Sequence, residues 1–218
     1  MKKAFVFIDG SNLYHRIKSV ADYALKEGGQ EYGTIDFDFR GFCDSFKGNT
    51  NLQEIHYYIG QVKRLNNGDS KDIQKSEQMY AAQQRLAGYL QKDGILIKYG
   101  KLLREPRPSG IYHEKGVDVQ IAVEMIRFAF QNKYDVAYLL SSDSDLIPAV
   151  KEVKNLGKEV VYVGVKRVPT PEALKTLQNQ KKDPYAISYG LTKTASDFKI
   201  IEKEQVLPFL RPKTKTLF

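Results

Sequence analysis

Phe5-Val6-Phe7-Ile8-Asp9-Gly10-Ser11-Asn12 is the stretch whose reading decides the fold. Four apolar residues in a row, two aromatic and two β-branched, predict a short strand buried on both faces. The run stops at Asp9. Gly10 permits a sharp turn, and Ser11 or Asn12 can cap a helix that carries Leu13, Ile17, Val20 and Ala24 at helical spacing, predicted over 11–25. Asp9 alone could be a plain cap. The design returns, however, at Ala137-Tyr138-Leu139-Leu140-Ser141-Ser142-Asp143-Ser144-Asp145, a second buried strand that ends in acids before a helix. Open α/β sheets bind ligands at such strand ends.

Outward from these two stretches, strands and helices alternate. Further strands are expected at Ile55–Ile59, Ile95–Tyr99, Val160–Val163 and, as an edge, Phe198–Ile201, with Lys101–Arg104 extending the third as a ribbon. Helices are expected over 36–46, 71–91, 117–131 and 145–155, with shorter ones over 171–178 and 202–207. The segment 180–193 reads as irregular and 178–193 as an insertion of unassigned role. The alternation predicts βαβ units and an α/β, three-layer, Rossmann-like domain around a central, mainly parallel sheet of about five to six strands. One domain is expected over 1–210, followed by a basic tail over 211–218.

The 218 residues suit one ordinary domain, and 42% hydrophobic with 28% charged residues is a globular composition. No run approaches the roughly 20 apolar residues of a membrane span. With no leader-like N-terminus either, the expectation is a cytoplasmic protein without a membrane partner. Cys43 is the only cysteine, which excludes an internal disulfide and a cysteine zinc site; its spacing with Phe39, Phe42 and Phe46 makes it a core residue. The net charge of +8 is uneven: residues 151–218 hold 14 Lys and Arg against 7 acids, residues 1–150 hold 20 against 19. A basic surface beside an acidic pocket suits a polyanionic partner.

The acidic pocket is expected from four residues placed at one end of the sheet. Asp9 and Asp143 end strands, Asp118 opens a helix beside them, and Asp145 follows Asp143 by two. Carboxylates crowded at about 4 Å repel by roughly 4 kcal/mol per pair at an effective dielectric of about 20. Divalent cations relieve that cost, and an all-oxygen ligand set suits Mg²⁺ or Mn²⁺. Competing chemistries lack their motifs: there is no Walker-type phosphate loop, no three-glycine dinucleotide turn and no Gly-x-Ser-x-Gly elbow. A dehalogenase-type phosphatase would want Asp-x-Asp after the first strand, where position 11 is Ser.

Three ordered blocks resemble the NYN domain family (LabA-like), part of the PIN-like nuclease superfamily. They are Val6-Phe7-Ile8-Asp9-Gly10-Ser11-Asn12-Leu13, Glu114-Lys115-Gly116-Val117-Asp118-Val119 with Ile121-Ala122-Val123, and Leu140 to Pro148. Gly157-Lys158-Glu159-Val160 and Ala195-Ser196-Asp197-Phe198 with Ile200 fit as well. The resemblance implies a Rossmann-like sheet and metal-dependent cleavage of RNA. It carries a metal-binding and catalytic role onto Asp9, Asp118 and Asp143, with Asp145 as a fourth acid and Asn12, beside Ser11, as a polar neighbour. Glu124 stands where the family often has Asp, but it lies about 120° round the helix from Asp118 and is expected outside the metal site.

Lys115, Arg104 and Arg107 are the candidates for holding phosphate, and His113 for touching substrate; the three histidines show no metal spacing. Tyr57, Tyr58 and Tyr99 are candidates for stacking on bases, although strand aromatics are usually core residues. The leading expectation is a Mg²⁺- or Mn²⁺-dependent endoribonuclease whose partner is single-stranded RNA, in a chain that could form a homodimer. The rivals are an RNA- or protein-binding module without turnover and a phosphatase of small substrates.

Overall fold

The computed structural model describes residues 1–105, 112–170, 174, 176 and 185–213. Arg107, most of the expected 171–178 helix, the first part of the 178–193 segment and the last five tail residues lie outside the described residues.

Among the described residues the chain runs β1 (Lys2–Asp9), α1 (Gly10–Gly28), β2 (Tyr32–Gly33), α2 (Phe39–Phe46), β3 (Thr50–Gln61), α3 (Ser70–Lys92), β4 (Leu96–Arg104), β5 (Tyr112–Lys115), α4 (Val117–Phe130), β6 (Val136–Leu140), α5 (Ile147–Asn155), β7 (Glu159–Val165), α6 (Tyr189–Thr194), β8 (Asp197–Ile201), α7 (Lys203–Val206) and β9 (Arg211–Pro212). A 3₁₀ turn, Ser144–Leu146, precedes α5. The main sheet has seven strands in the order β5-β4-β3-β1-β6-β7-β8. All its pairings are parallel except β4 with β5.

β1 is central because its apolar run serves both faces. Val6 and Ile8 pack into the core on one side of the sheet, with α1 and α2. Phe5 and Phe7 pack into the core on the other side, with α4 and α5. Each fully buried side chain of this size stabilises by about 1.5–3 kcal/mol. The period of two then sends Asp9, the next residue in the Phe5–Phe7 series, out on the α4–α5 side.

The sheet has a switch point beside β1. From β1 the chain crosses along α1 and α2 to β3, and along α3 to β4; later it crosses along α5 from β6 to β7 on the opposite face. β1 and β6 are neighbours whose following helices leave to opposite sides, which opens a crevice at their carboxyl ends.

Four features differ from expectation. The sheet has seven strands rather than five to six, because Tyr112–Lys115 folds back on β4 as an antiparallel edge. The acids at 143 and 145 open a 3₁₀ turn instead of α5 itself, since Pro148 occupies the first turn of α5 and the chain enters through Ser144–Leu146. Tyr189–Thr194 is a helix capped by Ser188, so the expected irregular stretch ends there. Arg211–Pro212 pairs with Tyr32–Gly33, and Lys213 bonds Glu31, so the start of the expected tail is tied to the domain. No described helix is long and apolar enough to cross a membrane.

Candidate metal centre

Asp118, Asp143 and Asp145 come together. Each offers a carboxylate oxygen, and these oxygens lie within 4.8 Å of one another. Asp118 sits in the first turn of α4, whose N-terminal cap is Gly116 in the left-handed conformation, φ 77°. Asp143 caps the 3₁₀ turn, its Oδ1 accepting from the Asp145 amide at 2.9 Å. Helix starts favour negative charge, which offsets part of the cost of holding these acids. No described lysine or arginine is ion-paired with any of the three. Asp118 and Asp143 are half-buried and Asp145 is exposed.

Asp9 stands next to this group and not within it. Its Oδ1 accepts from the Asn12 amide at 3.0 Å, and its Oδ2 from the Ser141 hydroxyl at 3.0 Å. The Ser141 oxygen in turn accepts from the Asp143 amide at 3.1 Å, so one hydroxyl aligns both strand-end acids. Burial raises the Asp9 pKa above the ordinary carboxylate range, and the charges of Asp143 and Asp118 push the same way against the two hydrogen bonds.

A fifth acid, Glu114, opens the block that carries Asp118 but is not among the residues expected at the metal site. It leans from β5 over Gly60, whose amide it accepts, and its Oε2 accepts from Ser11 Oγ at 2.5 Å. A Cβ on Gly60 would lie 3.1–3.3 Å from the Glu114 side chain and from Leu102, so glycine leaves the room the carboxylate takes. Burial raises the Glu114 pKa, with Asp9 and Asp118 adding repulsion. The sequence signal is alternation: in Tyr112–Lys115 the half-buried Tyr112 and Glu114 alternate with exposed His113 and Lys115. It becomes readable only once Lys101–Arg104 is paired with that stretch as a hairpin.

The remaining candidates divide. Ser11 is engaged by Glu114, and Arg104 reaches Asp72 on α3 at 2.6 Å, so their polar groups serve contacts within the fold. His113 Nε2 lies 2.6 Å from Glu105. Lys115 is exposed and has no ion-pair partner among the described residues. Asn12 spends its backbone amide on Asp9. Glu124 is turned away from the acids: it accepts from the Tyr58 hydroxyl at 2.9 Å and lies 3.6 Å from Lys98. Tyr57 and Tyr58 are buried, whereas Tyr99 is 40% exposed. Cys43 is buried, and its thiol pKa is pushed up by that burial.

Arg16, a further residue without a motif in the sequence, ties the site to the far end of the chain. From α1 its Nη2 donates to Ser142 Oγ at 3.3 Å and to the Ala186 carbonyl at 3.2 Å. It thereby fixes the turn that carries Asp143 against the segment that leads into α6.

The donor set is all oxygen, negatively charged, convergent and without compensating cations among the described residues. That fits a hard divalent ion and is unsuited to softer metals. An open, mainly parallel α/β sheet with such a cluster at its switch point defines a class of metal-compatible sites at strand ends. The family model of the NYN domain matches residues 3–187, and the chain belongs to the NYN domain family, within the PIN-like nuclease superfamily. No curated protein matches the chain in sequence.

Proposed function

We propose that the protein is a metal-dependent endoribonuclease that hydrolyses phosphodiester bonds of single-stranded RNA in the cleft formed by Asp9, Asp118, Asp143 and Asp145. The observation that carries this reading is the convergence of Asp118, Asp143 and Asp145 within 4.8 Å, without a compensating cation among the described residues, in an NYN domain. At 4.8 Å a pair of full charges repels by about 3.5 kcal/mol at an effective dielectric of about 20, and solvent screening reduces this for the exposed Asp145. Mg²⁺ or Mn²⁺ bound there supplies Lewis-acid polarisation of a phosphate and a water of lowered pKa.

The chain's own groups have separable tasks. Asp118, Asp143 and Asp145 hold the ion. Asp9, aligned by Ser141 and the Asn12 amide, walls the cleft on the β1 side and keeps an anionic substrate from settling without the ion. Glu114 fixes the Ser11 hydroxyl and so the turn that follows Asp9. Asn12 and Lys115 are the polar groups left for substrate. No side chain is placed as a nucleophile among the described residues, which agrees with direct attack by water.

The test is incubation of end-labelled single-stranded RNA, and of DNA of the same sequence, with wild type and Asp143→Asn. Each is run with Mn²⁺ and with chelator. Products from RNA with wild type and Mn²⁺ alone are expected. Retarded complexes without product would replace this reading with the binding module, and release of inorganic phosphate from mononucleotides would replace it with the phosphatase.

A further inference from the structure

α4 carries apolar residues all round, although one side of it faces solvent. Val117, Ile121, Met125 and Phe128 pack into the core over the sheet. On the other side Val119, Val123 and Phe130 are 60, 55 and 79% exposed, with the half-buried Ile126 between the last two. Of the four exposed positions on α4, only Arg127 is polar. The longer helix α3 shows the ordinary pattern: its outer side presents Lys75, Glu77, Gln78, Gln84 and Arg85. A helix that is apolar on every side is normally buried, so the outer side of α4 is built to be covered.

The stripe is complementary to itself. Val119, Val123, Ile126 and Phe130 recur at spacings of four, three and four residues, the seam by which one helix packs lengthwise on another. Laid antiparallel on a second α4 about a twofold axis, Phe130 of each copy meets Val119 of the other and Ile126 meets Val123, so a larger side chain faces a smaller one throughout. The polar edge of the stripe matches itself as well. Gln120 and Arg127 lie seven residues apart on that edge, and antiparallel packing sets each Gln120 against the other copy's Arg127. Gln120 donates its amide to Glu124 at 3.5 Å, which leaves its carbonyl oxygen to accept from that guanidinium. The Arg127 side chain is 51% exposed and free to turn outward from Glu124, 3.7 Å away. Opposed helix dipoles favour the antiparallel arrangement, whereas a parallel one would bring both acidic clusters to the same end.

We infer that two copies of this chain pair antiparallel through the outer side of α4, forming a weak dimer with an acidic cluster at each end. At about 1.5 Å of rise per residue, the two Asp118 lie roughly 20 Å apart along the helix pair, so both clefts stay open. One helix face from each copy is a small interface. Specific interfaces begin at about 1,200 Å² of total buried surface, which places this dimer in the weak, concentration-dependent range. The inference stands apart from the nuclease reading, because no residue of the stripe belongs to the acidic cluster.

The test is sedimentation velocity on the full chain across a dilution series from about 5 to 200 µM. Wild type should pass from monomer to dimer with a dissociation constant of about 1–100 µM. Val123→Lys and, separately, Phe130→Ser change exposed side chains and should leave circular dichroism unchanged. Each should weaken the dimer at least about tenfold. Gln120→Lys, which sets like charges against the other copy's Arg127, should weaken it too. Orientation is read by cross-linking. Cys43 is buried, so an introduced cysteine is the one a short bismaleimide reaches. A mixture of Val119→Cys and Phe130→Cys should cross-link between the two proteins, and Phe130→Cys alone should not cross-link to itself. A wild type that stays monomeric at about 200 µM would overturn the inference and leave the stripe to a different protein. A dimer that survives both Val123→Lys and Phe130→Ser would overturn it as well. So would a dimer that gives no cross-link between positions 119 and 130, or one joined through position 130 of both copies.

Discussion

Ser11 Oγ donates a 2.5 Å hydrogen bond to Glu114 Oε2, joining the turn after the first strand to the edge strand that precedes α4. This bond locks together the two backbone segments that deliver Asp9 and Asp118. Glu114→Gln keeps the size and one acceptor but removes charge. Supporting interactions of this kind typically change metal affinity by about 10–100-fold. Titration of Mn²⁺ by isothermal calorimetry should show an affinity roughly tenfold weaker, with circular dichroism unchanged.

Crowded carboxylates oppose folding when no ion is present. Asp9→Asn removes one of the charges that act on Asp118 and Asp143 while leaving groups for Ser141 and the Asn12 amide to meet. In chelator at neutral pH the variant should melt higher than wild type, by a few degrees for about 1 kcal/mol. Millimolar Mn²⁺ should raise the melting temperature of wild type and narrow or reverse that gap. A differential-scanning measurement in which Mn²⁺ leaves wild type unmoved would count against the metal centre.

His56 supplies a pH dependence remote from the acids. Its ring is buried among Phe5, Phe7, Tyr58 and Phe128, stacked on Phe7 at 5.6 Å between centroids. Nε2 lies 2.9 Å from Glu54 Oε2 without hydrogen-bond alignment. Burial lowers its pKa and Lys98 adds to that, against the opposing charges of Glu54 and Glu124. The unfolded chain therefore binds the proton more readily than the folded one. Stability is full above the unfolded value near 6.5 and falls as the pH drops through it. Denaturant midpoints should decline between about pH 7 and 5 in wild type and decline less in His56→Phe.

Gly10 is a steric requirement of the turn after Asp9. A Cβ there would lie 2.3 Å from the Tyr57 ring and 2.7 Å from the Tyr58 carbonyl oxygen. Tyr57 donates its hydroxyl to the Gly10 carbonyl at 3.2 Å and is fully packed, so it has no room to yield. Gly10→Ala should cost about 1–3 kcal/mol in urea unfolding, the usual range for overpacking. Gly28→Ala, at a position with open space around it, should be close to neutral.

Much of this architecture is legible in the amino-acid order. The strand that ends at Asp9 and the strand before Asp143 announce themselves by unbroken apolar runs, and Asp118, Asp143 and Asp145 meet as their placement suggests. What escapes has a common physical cause. β5 is four residues long, alternates in polarity and pairs antiparallel at an edge, so no hydrophobic run marks it and Glu114 stays hidden with it. Asp9 falls outside the three-acid group, and its carboxylate is held instead by Ser141, a residue of the third block to which the sequence assigns no role. Arg104 reads in the sequence as a cation for phosphate; its partner Asp72 lies on a helix whose approach to that edge no local pattern encodes.

The central place of β1 has a consequence for biosynthesis. Ile8 is flanked by Tyr57 and by Leu140, and the second neighbour lies roughly 130 residues downstream. At about 5–20 residues per second, a ribosome takes roughly 7–26 s to supply it after Ile8 has been made. Throughout that interval one flank of the apolar run in β1 is open, and the nascent polypeptide is a client for whatever shields sticky segments in the cell.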